Sequence, residues 1–240
     1  MTETSRCTVV SKRPERFPIA ADARILDVGG VMNPHPLAGW VIDLIEPGTV
    51  PSYGPADQTQ PSQREYVVHD ICSSRPFPFA DSFFDFCICT HVLEDVRDPL
   101  RVCEEMVRVA KAGYIEVPSW ESELTHNLEG RHHSGRSHHR WLIDMASDGL
   151  TFLFKPHFVS GYWKTRIPRR WWKDDPTKSV RGFMWSGPFR AVERHFYYSE
   201  LRLEIEKRVR ELDVYPEWMY SMWNILVGLR RAGERVTRKR

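Results

Sequence analysis

The residues with the clearest chemical potential in this 240-residue chain follow short apolar segments. Gly29 and Gly30 come directly after RILDV, and glycine lets the backbone pass close to a ligand. Asp43 ends WVID, where a carboxylate suits the two hydroxyls of a ribose. Asp70 or its neighbour Ile71, after REYVVH, would face the edge of an adenine ring. This spacing is typical of a nucleoside-binding site.

The segments that carry these residues are predicted to be β-strands of a parallel sheet. The strands are RILDV, GWVIDLI, REYVVHDI, FFDFCICTHV and YIEVPS. The segment DPLRVCEEMVRVAKAG has helical periodicity, with Asp98 as the N-cap, Pro99 at the first helical position and Gly113 after the end. Strands that alternate with helices predict an α/β, doubly wound, Rossmann-like and mostly parallel sheet with helices on both faces. Ligands of such sheets bind outside the carboxyl ends of the strands.

Two kinds of nucleotide cofactor are compatible with this layout. A dinucleotide site needs the pattern G-x-G-x-x-G opening into a helix, whose N-terminus holds the pyrophosphate. The segment GGVMNPHP lacks the third glycine and a clean helix start. The sequence therefore favours a cofactor without a pyrophosphate.

Three stretches resemble the class I S-adenosylmethionine-dependent methyltransferases. They are ILDVGG, VIDL and RPFPFADSFFDFCICTHVLEDVRDPLRVCEEMVRVAKAGYIEVPS. The resemblance covers Arg24 to Ser119 well, and HHRWLID and LTFLFKP more loosely resemble methyltransferases of sugar and secondary-metabolite pathways. It implies S-adenosylmethionine as the cofactor and a small-molecule acceptor.

The resemblance also implies roles for the matching residues. Asp27, Gly29 and Gly30 would lie beside the methionine part of the cofactor, Asp43 at the ribose, Asp70 and Ile71 at the adenine, and Thr90 and His91 at the sulfonium. The sequence departs from the family pattern twice. The glycine motif is compressed to DVGG, and Asp95 stands where the HVLEH pattern has its second histidine.

The histidine-rich segment RHHSGRSHHRW is the second group with chemical potential. His139 matches the HRW of the resemblance, so His139 and His91 are the candidate catalytic residues for a hydroxyl acceptor. His91 alternatively caps the following helix. No metal site is predicted, because a Gly/Ser-rich spacer between two histidine pairs fixes no ligand geometry. The segment from Glu121 to Arg140 is expected to be a mobile lid, poor in apolar anchors.

The chain is expected to divide into three parts. Residues 1–22 form an N-terminal arm that is flexible or loosely docked, residues 23–160 the cofactor-binding core, and residues 161–240 a C-terminal extension that covers the acceptor and ends in a helix. Trp120, Trp141 and Trp163 are expected to wall the acceptor pocket, and Arg131, Arg136 and Arg140 are candidates to bind an anionic acceptor.

The terminal helix is expected to dock on its own domain or on a second copy, rather than lie in a membrane interface. Its predicted apolar face consists of Trp218, Met219, Met222, Trp223, Ile225, Leu226 and Leu229. These residues cover too much of the circumference for a helix with a strongly polar face. A homodimer is therefore left open.

Composition excludes several classes of protein. The net charge of +2 is too weak to indicate nucleic acid, and no apolar run is long enough for a signal peptide or a spanning helix. The five cysteines form no pair of CxxC elements, which argues against disulfides and structural zinc. Cys87 and Cys89 alternate within a strand-like run and are expected to be buried thiols. These features predict a cytoplasmic protein without stable membrane insertion.

Two alternatives to methyl transfer stay open at this point. An enzyme could use the same cofactor for another chemistry at the sulfonium. A binding or scaffold protein could also have this fold, and the compressed DVGG motif favours that alternative.

Overall fold

The computed structural model describes residues 6–10, 17–49, 64–130, 132–171, 176–222 and 225. The strands are β1 (Arg6–Val10), β2 (Ile25–Val28), β3 (Trp40–Asp43), β4 (Glu65–Val68), β5 (Phe86–Thr90), β6 (Ala112–Pro118), β7 (Trp141–Ala146), β8 (Gly149–Phe154), β9 (Val180–Ser186) and β10 (Arg190–Glu193). The helices are α1 (Pro99–Val109), α2 (Trp120–Leu124), α3 (Phe158–Gly161) and α4 (Tyr198–Glu211), with short 3₁₀ turns at Trp163–Thr165, Arg169–Trp171 and Pro176–Ser179.

Seven of the strands form one sheet in the order β1-β9-β6-β5-β2-β3-β4. Neighbouring strands from β4 to β6 pair in parallel, whereas β9 pairs antiparallel with both β6 and β1. The predicted α/β class and the mostly parallel sheet are confirmed. Because β2 lies between β3 and β5, the order of the strands reverses beside β2, which is where such sheets bind ligands.

The main sheet includes strands from outside the expected core of residues 23–160. Arg6–Val10, expected in a loosely docked arm, is the edge strand β1. Val180–Ser186, expected in a separate extension, is β9 and lies between β1 and β6. The main sheet therefore draws strands from all three predicted parts, because its antiparallel edge pairs segments that are far apart in sequence.

Helix α1 covers one face of the sheet. Its start is as predicted, since the Asp98 carboxylate accepts a hydrogen bond from the Arg101 backbone N–H at 3.0 Å and Pro99 is the first helical residue. The buried side of α1 contributes Val102, Cys103, Met106 and Val109 to the largest hydrophobic cluster. The predicted burial of Cys87 and Cys89 is confirmed, and Cys103 is buried as well. Burial raises the pKa of all three thiols.

The opposite face is covered by residues that precede β2 and β3. Phe17 and Ala38 pack against Phe86, Ile88 and Tyr114 of β5 and β6. Between β2 and β3 the chain forms turns instead of a helix, because two prolines follow the glycine pair. This short irregular segment covers the sheet.

A smaller sheet, in the order β10-β8-β7, packs on the α1 side, and α4 lies against its outer surface. The three tryptophans expected around the acceptor instead lie in packed clusters. The ring of Trp120 lies 3.9 Å from the Arg208 guanidinium, and the Trp141 indole donates to the Val96 carbonyl at 2.9 Å. Trp163 contacts Tyr215 and Tyr220.

The predicted apolar face of the terminal helix is only partly within the described residues. Trp218, Met222 and Ile225 are exposed, whereas Tyr220 is buried, so these three residues are not docked on their own domain. Trp223, Leu226 and Leu229 lie outside the described residues. In the described part of the chain, every helix is too short or too polar to cross a bilayer.

A buried carboxylate on α1 gives a stability prediction. Glu105 accepts a hydrogen bond from the Phe77 N–H at 2.6 Å and pairs with the Arg108 guanidinium. We expect Glu105→Ala to lower the free energy of unfolding by about 2–4 kcal/mol, because both partners lose a buried acceptor. The exposed neighbour Glu104 is the matched control, and Glu104→Ala should change stability by less than about 0.5 kcal/mol. Equal midpoints for the two variants in urea unfolding would contradict this account.

Candidate active site

The carboxyl ends of four adjacent strands bring the predicted cofactor residues to one edge of the sheet. Gly29 follows β2, Asp43 ends β3, Asp70 follows β4 and Thr90 ends β5. The strand order places these positions side by side, as the sequence predicted. The contacts of each side chain then decide what it can do.

Asp27 and the two glycines build the turn after β2. The buried carboxylate of Asp27 accepts a hydrogen bond from the His35 N–H at 2.7 Å. A Cβ atom on Gly30 would lie 2.2 Å from Asp27 Oδ2, and Gly29 has a φ of +75° with Val92 close to the position of its Cβ. The packing of the turn therefore requires both glycines. Asp27 stabilises the turn through its hydrogen bond from the His35 N–H.

Asp43, the residue predicted to bind the ribose, is held by the backbone on both sides. Its Oδ2 accepts from the Val31 N–H at 3.1 Å and its Oδ1 from the Ile45 N–H at 3.0 Å, so the carboxylate is fixed by the backbone on both sides. A carboxylate has about four acceptor positions, which leaves two for a pair of hydroxyls. The half-buried side chain keeps those positions accessible.

Both carboxylate oxygens of Asp70 accept hydrogen bonds from within the protein. One oxygen accepts from the Cys72 N–H at 3.0 Å and the other from the Arg97 guanidinium at 2.8 Å. The hydrogen bond from Arg97 lowers the pKa of the Asp70 carboxyl. The side chain of Ile71 is buried in the main core. These contacts hold the turn that would face an adenine.

His91 is an imidazolium at neutral pH. Its ring lies between two carboxylates, with Nδ1 3.3 Å from Glu94 and Nε2 3.5 Å from Glu116. These two carboxylates, Glu116 first, raise the pKa of His91 to about 9. Its backbone has a φ of +57°, which is uncommon outside glycine and is found at functional sites. His91 does not cap α1, because Asp98 does, and its charge makes it a poor general base.

A cavity of about 430 Å³ opens beside His91 at the ends of β5 and β6. Its lining includes Glu94, Asp95, Pro118, Arg136, His138 and His139. The histidine-rich segment therefore does cover the sheet edge next to the cofactor residues. Of the three candidate arginines, Arg136 lines the cavity and Arg131 lies outside the described residues.

His139 is the best-positioned histidine of this cavity. It is buried, and its Nδ1 lies 2.6 Å from Oε1 of Glu123 on α2. Glu123 is also buried and pairs with Lys155, which follows β8. The other ring nitrogen, Nε2, lies 3.7 Å from Oδ1 of Asp95, whose pKa is raised by burial. An imidazole held by a carboxylate at Nδ1 presents Nε2 in a fixed direction.

The expected mobile lid is anchored at several points. Within it, Thr125, Ser134 and His139 are buried. The backbone N–H of His126 donates to Ile167, that of Gly135 to Thr125, and that of Arg140 to Glu94. The expectation of few anchors is corrected, because backbone hydrogen bonds and buried polar side chains replace apolar contacts.

Sequence reasoning missed Glu123 and Lys155, which carry no local signal. Asp95 did carry one, since it departs from the HVLEH pattern at the position that now faces His139. A departure from a family pattern next to a site is therefore informative about that site.

Comparisons with known proteins found similar methyltransferases. A family model described as a methyltransferase domain matches residues 51–115. An uncharacterized methyltransferase of Mycolicibacterium gilvum is 32% identical over 188 residues, covering 67% of this chain and 72% of the relative. Another from Mycobacterium sp. strain JLS is 38% identical over 134 residues, and here the chain covers about half (53%) of the relative. A crystal structure of an S-adenosylmethionine-dependent methyltransferase from Methanosarcina mazei is 16% identical, with 74% of this chain and 100% of that one covered and a TM-score of 0.37.

The fold is α/β with a mostly parallel sheet, and the relatives define the family of the chain. The chain belongs to the class I S-adenosylmethionine-dependent methyltransferases. Its cofactor is S-adenosylmethionine, in agreement with a turn after β2 that offers no pyrophosphate-binding helix in the described residues.

The charge of His91 gives a pH prediction. Because its folded-state pKa of about 9 lies above the ordinary 6.5, the proton on His91 stabilises the fold. That stabilisation is complete below about pH 6.5 and is lost as the pH rises through about 9. The difference in free energy of unfolding between the wild type and His91→Gln should therefore shrink over this range. The effect should be small, since solvent screens a half-exposed side chain.

Urea unfolding at a series of pH values measures this difference. His157→Gln removes an exposed histidine outside the site and controls for the loss of a histidine elsewhere. A difference that stays constant from pH 6.5 to 9 would show that Glu94 and Glu116 do not hold a proton on His91.

Proposed function

We propose that this methyltransferase transfers the methyl group to a hydroxyl of a small molecule bound in the cavity beside His91. The observation that carries the proposal is His139, a buried imidazole in the cavity wall, with Nδ1 on Glu123 and Nε2 on the side of Asp95. A nitrogen held in this way has a lone pair at a fixed place, where an acceptor hydroxyl can lose its proton. Sugar or secondary-metabolite intermediates are the acceptors that the sequence resemblance suggests.

On the cofactor side, the proposal assigns the ribose to Asp43, the methionine part to the turn of Asp27, Gly29 and Gly30, and the adenine to the turn of Asp70 and Ile71. Asp27 acts by holding the turn, and Asp70 by fixing its own loop against Arg97. Bound S-adenosylmethionine supplies an electrophilic methyl group on a sulfonium. The protein must then align the acceptor oxygen with this group and exclude water.

On the acceptor side, His139 activates the hydroxyl and His91 supplies a fixed positive charge between β5 and β6. Thr90, at the end of β5, lies next to His91 at the junction of the two halves of the site. Arg136 gives the cavity a second cationic group, which suits an acceptor with an anionic substituent. The five free cysteines support the cytoplasmic, reducing setting that this proposal assumes.

Mass spectrometry tests the function directly. The purified full chain is mixed with S-adenosylmethionine and a panel of hydroxylated and carboxylated small molecules. A product heavier by one CH₂ supports methyl transfer, and its fragmentation shows whether an oxygen carries the group. A product of any other mass gain would indicate a different chemistry at the sulfonium. Lack of cofactor binding in calorimetry would favour a scaffold.

Asp43→Ala tests the ribose assignment. We expect cofactor binding to weaken by about 1.5–3 kcal/mol, because a charged group loses hydrogen bonds to the ribose hydroxyls. Calorimetric titration with S-adenosylhomocysteine measures the affinity. Glu46→Ala removes an exposed acidic side chain nearby and should leave it unchanged. An unaltered dissociation constant in folded Asp43→Ala protein would reject the assignment.

His139→Ala tests the activation of the acceptor. We expect turnover to fall by roughly 10²–10⁴-fold while cofactor affinity stays intact. If the imidazole only holds its segment through Glu123, the acceptor KM should rise instead, and His139→Asn or His139→Gln should restore much of the activity. The exposed His157→Ala variant controls for general effects. Normal kinetics of His139→Ala would remove this residue from the mechanism.

A further inference from the structure

Three potential ligand side chains meet at the cavity wall from two separate segments of the chain. Asp95 lies in the turn after β5, and His138 and His139 lie directly before β7. One ligand atom from each residue lies within 4.8 Å of the others. Nε2 of His138 is 4.0 Å and Nε2 of His139 is 3.7 Å from the same Asp95 oxygen, Oδ1.

A carboxylate lies on the Nδ1 side of each imidazole, within hydrogen-bond distance for His139 and farther away for His138. Nδ1 of His139 lies 2.6 Å from Glu123, and Nδ1 of His138 lies 3.7 Å from Glu129. Histidines that bind metals place a carboxylate or carbonyl on the nitrogen that faces away from the ion, which fixes the ring and raises its basicity. The Nε2 atom of His139 is thereby held on the side of Asp95, and the Nε2 atom of His138 lies near the same carboxylate.

The Asp95 oxygen between them lacks a partner. Oδ1 is buried and accepts no hydrogen bond from any described group. Distances of 3.7 and 4.0 Å to the two Nε2 atoms are too long for hydrogen bonds, so the three atoms surround a gap. A buried acceptor left unsatisfied is costly, and a cation in this gap would satisfy it.

We propose that Asp95, His138 and His139 bind one divalent transition-metal ion at the wall of the acceptor cavity. Two imidazoles and one carboxylate suit Zn²⁺, Co²⁺, Fe²⁺ or Mn²⁺. Bonds of about 2.1 Å require ligand atoms about 3.4 Å apart in a tetrahedral site. The side chain of His138 is exposed, so it is free to close the remaining gap by rotation.

Three protein ligands leave at least one coordination position open towards the cavity, as in catalytic sites. This inference rests on the proposed function for its role, which is to bind the acceptor hydroxyl and lower its pKa. The hydroxyl proton then passes to solvent, and an oxygen lone pair forms the new bond to the methyl carbon. The carbon–sulfur bond breaks and its electron pair stays on sulfur, which neutralises the sulfonium. With the ion bound, the Nε2 lone pair of His139 is used for coordination, so the ion replaces His139 as the group that activates the hydroxyl.

The first experiment measures metal binding alone, with untagged full-length protein that has been treated with a chelator and dialysed. We expect one Co²⁺ per chain, with visible absorption of a four- or five-coordinate site, and displacement of Co²⁺ by Zn²⁺. His138→Ala and Asp95→Asn should each weaken Zn²⁺ binding by at least 10-fold. Glu129→Gln should weaken it by about 10-fold at most. His133→Ala, in the same exposed segment but outside the cluster, should bind as the wild type does.

Absence of saturable Co²⁺ binding in the wild type would overturn the proposal. So would equal binding by wild type, His138→Ala and Asp95→Asn, which would place the ion elsewhere. Because His138 is exposed, His138→Ala is expected to stay folded, and an unchanged thermal midpoint confirms this.

The second experiment separates the metal site from methyl transfer. The chelator-treated enzyme should lose activity and regain it with Zn²⁺, Co²⁺ or Mn²⁺, while its affinity for S-adenosylhomocysteine is unchanged. Full activity without metal would overturn the catalytic role of the ion. A chain that binds Co²⁺ through these ligands but methylates no acceptor would instead refute the proposed function.

Discussion

The buried carboxylate of Glu123 fixes the geometry of the acceptor side. It lies on α2 and pairs with Lys155, which follows β8, and with His139, which precedes β7. A buried carboxylate is unfavourable unless it is paired, so these partners hold three segments to one another. The direction of His139 Nε2 and the wall of the cavity both follow from this one charge. The cofactor side depends in the same way on backbone N–H groups fixed by Asp27 and Asp43.

The central sheet could be predicted because its signals are local. The strands β2 to β6 are apolar segments that end at glycine or polar residues, and α1 has an N-cap, a proline at its first position and a clear periodicity. The sequence does not predict that β1 and β9 belong to the sheet, because their partners are distant in sequence. Arg6–Val10 pairs with Val180–Ser186, and no local pattern reveals such a pairing.

The candidate site was predictable only as far as strand ends define it. The positions of Asp43 and His91 follow from the rule that ligands bind at the carboxyl ends of parallel strands. The charge of His91 does not follow, because one of its carboxylates, Glu116, belongs to a neighbouring strand. The flexible spacer between the histidine pairs predicts no metal site. The spacer does not reveal that Asp95 and Glu123, from other segments of the chain, lie beside His139, and this arrangement is the basis of the proposed metal site.

The position of β9 between β6 and β1 has a consequence for synthesis on the ribosome. Strand β1 has its pairing partner β9 only after residue 186 has left the exit tunnel, so β1 stays unpaired while most of the chain is made. Folding can begin with the parallel strands β2 to β6, but the open side of β6 stays unpaired until β9 arrives. Such long-range pairing slows folding and leaves an edge that can pair with other chains. Newly made molecules are therefore most vulnerable to aggregation, and most in need of a chaperone, just before the last strand of the sheet emerges.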